Sequence, residues 1–141
     1  MVFNQWRYMN SSDLLREGFA TWQRFRPDSE HTLIASLPAA AGVYVIRRRR
    51  PFGRFVGETD IAYIGSAASV QGLKGRIRQY FHPGPTQRTN QRIRALIERT
   101  DDLELSSVEC PSADDARKLE KRLLSQCDTE HGELPPLNRR E

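Results

Sequence analysis

Two short runs rich in β-branched and aromatic residues, GVYVIR at 42–47 and IAYIG at 61–65, stand on either side of a segment dense in arginine, proline and glycine. Such runs pack well on a pleated, half-buried surface and suit helices poorly, so the pair reads as a β-hairpin with a long basic tip. Beyond the hairpin the period becomes helical. Residues 70–81 carry apolar groups at helical spacing until His82-Pro83-Gly84-Pro85 stops them, and residues 90–99 turn Ile93, Leu96 and Ile97 to one side. A strand is expected at 103–110 and a helix from Ser112 to about Cys127. Ahead of the hairpin, Leu15, Phe19 and Trp22 fall at i, i+4 and i+7, which predicts an amphipathic helix over 11–25, ended by Pro27. A hairpin of strands with helices before and after it along the chain reads as an α+β fold.

With 141 residues the chain makes one domain with a short extension, large enough to bury about two-thirds of its unfolded surface. The longest stretch without Asp, Glu, Lys or Arg, 31–46, is interrupted by Pro38 and Gly42 and falls short of the ~20 apolar residues of a membrane span. The N-terminus lacks the apolar core of a secretory signal, so a cytoplasmic protein is expected. Cys110 and Cys127 are too few for a disulfide framework and read as two small buried hydrophobes. The net charge of +4 hides an asymmetry: residues 42–99 hold 12 basic and 3 acidic residues, net +9, and the remainder 10 and 15, net −5. That is the footprint of a chain that meets a polyanion on one face.

Two polar residues break the helical patterns. At about 100° per residue, Ala113, Ala116, Leu119, Leu123, Leu124 and Cys127 share an arc of roughly 140°, and Glu120 lies inside it while every other charge of that helix lies outside. A lone carboxylate in a buried stripe costs free energy unless a partner compensates it. It is either a metal ligand or general base, or half of a structural ion pair with an inward Arg. Arg76 sits roughly 40° beyond the edge of the apolar arc of its helix, one turn from Tyr80, where a guanidinium can either meet a phosphate or snorkel into water.

Gly42-Val43-Tyr44, Tyr63-Ile64-Gly65-Ser66, the run from Gly75-Arg76 to Tyr80-Phe81, Leu119-Glu120 and Pro136-Leu137-Asn138 follow one another in the order of the motifs of the GIY-YIG nucleases. Over residues 41–139 the chain resembles that family, in the form of the N-terminal nuclease domain found in the bacterial excision-repair endonuclease and of small stand-alone relatives. The resemblance implies a three-stranded antiparallel sheet flanked by helices over 41–141, with residues 1–40 as an N-terminal helical extension packed on it. It implies a DNA endonuclease dependent on one Mg²⁺ or Mn²⁺, with Tyr44, Tyr63, Arg76, Tyr80, Glu120 and Asn138 at its site. In those roles Glu120 would hold the metal, Arg76 would stabilise the phosphate, Tyr63 in preference to Tyr44 would activate water, and Tyr80 would bond a phosphate or simply pack. Ser66 stands where some relatives have Lys, so no cationic helper is expected there.

A reading from a different class is a non-catalytic nucleic-acid-binding module. Arg47, Arg48, Arg49, Arg50, Arg54, Lys74, Arg78, Arg88, Arg92 and Arg94 would serve either reading as the nucleic-acid surface. Glu120 argues against the pure binder, which gains nothing from a carboxylate facing a polyanion.

Overall fold

The computed structural model describes residues 9–138. Among them, four strands form one antiparallel sheet: β1 (Gln23–Arg24), β2 (Gly42–Gly53), β3 (Glu58–Ala67) and β4 (Leu103–Glu109), in the order β1-β4-β2-β3. The four α-helices are α1 (Glu30–Ser36), α2 (Gly72–Phe81), α3 (Arg88–Arg99) and α4 (Ala113–His131). Alternation along β2 divides the core in two. Tyr44 and Ile46 point into a cluster with Leu73, Ile77, Tyr80 and Ile93 of α2 and α3. Val43 and Val45 point the other way, against Ala116, Leu123 and Cys127 of α4. Both cysteines are free and buried, as expected. No described helix is long and apolar enough to cross a membrane.

The N-terminal segment departs from its helical reading. A 3₁₀ helix spans only Ser11–Glu17 and ends at Gly18, whose φ of 104° belongs to the left-handed region. The chain then runs extended, and β1 pairs Gln23 with Leu105 and Arg24 with Glu104. Leu15 is exposed, whereas Leu14, Phe19 and Phe25 are buried. Glycine is a poor helix former, and the open edge of β4 offered a row of backbone partners that the helix would have forgone. The sheet thus gains a fourth, two-residue strand from the extension, and α1 is a further element that the apolar spacing did not signal.

The hairpin also differs from its sequence reading. β2 continues through all four arginines of 47–50: Arg47 is paired on both sides, opposite Ile61 and Glu104, Arg48 stands opposite Leu103, and the Arg49 amide donates to the Asp102 carbonyl at 3.1 Å. Register shifts after Ile46 and after Arg47 bend the arm, and the turn shrinks to residues 54–57. The arginine run is strand, not loop.

The later helices have clear ends. α2 starts at Gly72, two residues later than the apolar spacing suggested, and leaves Val70 almost fully exposed. Gly72 has φ 58°, and a Cβ there would lie 2.3 Å from the Ala40 carbonyl oxygen. Ser112 caps α4 by accepting from the Asp115 amide at 3.1 Å. The helix ends at Gly132 (φ 76°), a turn past the expected stop.

Candidate active site

Tyr44 and Gly65 are cross-strand partners. A Cβ at Gly65 would come within 2.5 Å of the Tyr44 hydroxyl oxygen and 2.7 Å of the Tyr63 ring, so the glycine is what lets both rings lie over β3. Around the Tyr44 ring, Tyr80 packs edge-on with centroids 5.9 Å apart and Tyr63 is tilted at 6.0 Å. The Tyr44 and Tyr80 hydroxyls hydrogen-bond each other. Arg76 donates from Nε to the Tyr44 oxygen at 3.3 Å and from Nη1 to Gln79 Oε1 at 3.2 Å. The interlocked rings therefore aim the guanidinium.

Burial pushes the Tyr44 and Tyr80 phenols well above their usual range, against a lowering pull from Arg76. Both stay protonated at neutral pH in the free protein, as hydrogen-bonding supports and not as bases. For Arg76, burial works to lower its pKa, but the tyrosine oxygens outweigh it and the group is held more firmly charged. Tyr63 is only half-buried and remains as the accessible phenol.

On the other face of β3, Ser66 donates to Glu120 Oε1 at 3.1 Å. Glu120 is half-buried on α4, and burial raises its pKa, opposed by the Ser66 hydrogen bonds and the Arg76 charge. The inward arginine required by a structural ion pair is missing: among the described residues no Lys, Arg or His nitrogen lies within 4.0 Å of this carboxylate. Among the described residues, the hydrogen bonds of this desolvated acid come from Ser66 and none comes from a cation.

No group of three or more His, Cys, Asp or Glu that could hold a metal occurs among the described residues. That donor set does not suit zinc. It does suit Mg²⁺ or Mn²⁺, which keep most of their waters and take one or two carboxylates, so Glu120 fits a hydrated ion of this kind.

Asn138 stands close by in a different capacity. Its Oδ1 accepts from the Ile64 amide at 3.0 Å and its Nδ2 donates to the Ile64 carbonyl at 2.9 Å, while the Leu137 amide donates to Ala62 at 3.0 Å. The tail so covers the outer edge of β3 and occupies the Asn138 amide. Sequence reasoning singled out neither this bracket nor the Ser66 hydrogen bond. The only available signal for Ser66 was its standing where some GIY-YIG nucleases have a lysine.

The cations divide between two places. On the hairpin, Arg47 binds Glu104 at 2.8 Å and stacks 4.0 Å from the centre of the Trp22 ring. Arg48 lies over Phe52 and donates to the carbonyls of Arg50 and Pro51. Arg50 is 3.6 Å from Asp102, and Arg54 binds Glu133 at 2.8 Å. Arg49 is exposed. On α2 and α3, Arg94 pairs with Glu98 at 2.7 Å, whereas Lys74, Arg78, Arg88 and Arg92 have no ion-pair partner among the described residues.

No family model matches the chain, and neither a curated protein nor a solved structure matches it.

Proposed function

We propose that this chain is a divalent-metal-dependent DNA endonuclease of the GIY-YIG type, with β4-β2-β3 as its three-stranded core. The observation that carries the reading is Glu120, a half-buried carboxylate without a counter-cation, close enough to feel the charge of an arginine that two buried tyrosines aim. Protein folds seldom keep such a charge for stability alone.

Glu120 would hold the ion, with the Ser66 hydroxyl fixing carboxylate oxygen Oε1. The bound ion would supply Lewis-acid stabilisation of the leaving 3′ oxygen. Arg76 would donate to the non-bridging oxygens of the scissile phosphate, bonds that strengthen as the pentacoordinate transition state gains charge. Tyr63 would orient the attacking water and take its proton. Tyr44 and Tyr80 would keep Arg76 on target. Asn138 would keep β3 straight beneath them.

The test is a panel of end-labelled duplex, single-stranded and flap DNA and RNA, incubated with Mg²⁺ or Mn²⁺. Wild type should cleave DNA, Arg76→Ala should lose about 10² to 10³ in turnover with binding retained, and Glu120→Gln should be inactive. Binding without cleavage by wild type under every condition would replace this reading with the non-catalytic binding module.

A further inference from the structure

Resting on the nucleic-acid reading above, we infer that a DNA strand runs from the site along the α2–α3 helix pair and not along the arginine-bearing arm of the hairpin. The arm has the densest run of positive charge in the sequence, but in the fold four of its five arginines (Arg47 to Arg50 and Arg54) are already engaged. Three of the five are met by carboxylates packed against the hairpin: Arg47 by Glu104, Arg50 by Asp102 and Arg54 by Glu133. Arg47 and Arg54 hold carboxylates at 2.8 Å, and Arg48 spends its donors on its own strand. To bind a phosphate, Arg47, Arg48, Arg50 and Arg54 would each first have to break an existing interaction, and among the described residues of the arm only Arg49 is an arginine free of that requirement.

The helix pair is different. Residues 72–99 contain seven Lys and Arg and one carboxylate, Glu98, net +6, and Arg94 alone takes that carboxylate. Asp28 and Glu30 share a cleft with Arg78, and Glu30 is itself 2.6 Å from His82. Arg88 and Arg92 are exposed, one turn apart on α3, and face no carboxylate within ion-pair distance among the described residues. Their scaffold is fixed: Arg94 Nη1 donates to the Phe81 carbonyl at 3.3 Å, and Gln91 Nε2 to the Gly84 carbonyl at 2.7 Å. Arg76 rides on α2 between Lys74 and Arg78, so the free cations are continuous along the chain with the group aimed at the scissile phosphate. A free exposed cation gives up only water and counterions when it meets a phosphate, and this is the term that drives binding.

Two double variants of equal charge change, Arg88→Gln/Arg92→Gln and Arg49→Gln/Arg50→Gln, decide the matter. Each would be titrated in EDTA against a DNA duplex of about 30 base pairs between about 50 and 300 mM salt, after melting curves confirm that both fold. The helix-pair variant should bind more weakly and flatten the slope of log K against log salt by about 0.9 for each phosphate it no longer neutralises, with the hairpin variant keeping the wild-type slope. A flattened slope in the hairpin variant with an unchanged one in the helix variant overturns the assignment, as does an unchanged slope in both. Because no metal is present, the outcome is separate from cleavage. A slope carried by the hairpin leaves the nuclease reading standing, and a duplex that binds through α3 in EDTA but stays uncleaved by wild type with Mg²⁺ or Mn²⁺ removes that reading and leaves this surface.

Discussion

Glu120 concentrates the tension between stability and chemistry. Its folded pKa is raised by burial from a usual value near 4.5. A raised carboxyl favours the folded state while protonated, and that contribution is lost as pH rises from the unfolded value through the folded one. Glu120→Gln removes the charge and keeps the shape, so without metal the variant should match wild type at low pH and become the more stable of the two as pH rises to neutrality. Thermal melts across that range check the sign. Added Mn²⁺ should raise the wild-type melting temperature and leave the variant where it was. Gly65 is the second residue on which the site turns. Gly65→Ala would drive a methyl into the Tyr44 and Tyr63 rings, both packed in the core, and should cost about 1–3 kcal/mol by overpacking along with most of the activity. Urea midpoints and turnover would report the two effects separately.

Among the elements, the bent arm of β2 has the least expected character. An arginine is uncommon at the centre of a three-stranded pairing, and Arg47, the one so placed, finds compensation within the fold. Arg47 is held by Glu104, by Ser11 at 3.2 Å and by the Trp22 face, which ties β2 to β4 and to the N-terminal segment at one point. Ser11 in turn donates its amide to Asp60 at 2.7 Å. Arg47→Ala should lower stability by about 1–2 kcal/mol, since it removes a stacked and hydrogen-bonded cation and not a free one. Arg49→Ala, at an exposed neighbour, should stay within about 0.5 kcal/mol of wild type. Chemical denaturation of both distinguishes a structural strand from a solvated charge run.

The molecule as a whole does not divide at residue 40. The N-terminal segment places Met9, Leu14 and Phe19 in the α4-side core, and Phe25, Leu33 and Leu37 in the α2-side core. It also contributes β1 to the sheet. His131, at the end of α4, has ring nitrogens 2.9 Å from the carbonyl oxygens of Met9 and of Val56 in the hairpin turn, so three distant parts of the chain meet at one side chain. Residues 41–141 expressed alone should therefore lack a cooperative thermal transition, with both core faces opened to water. A sharp melt of that fragment would show that the core is complete without the extension.

The hairpin, α2, α3, β4 and α4 were legible in the sequence because each follows from a local period of apolar residues, and the end of α2 from a local proline-glycine stop. Glu120 and Arg76 were legible for the same reason, as charges where the period called for something else. The N-terminal segment was not, because its apolar spacing fits a helix and only the free edge of β4 makes a strand the better use of its backbone. Nor was the worth of the arginine run. A charge's sign is written in the sequence, but whether it remains free depends on carboxylates such as Glu104 and Glu133, more than fifty residues away along the chain, and tertiary folding alone brings them to 2.8 Å.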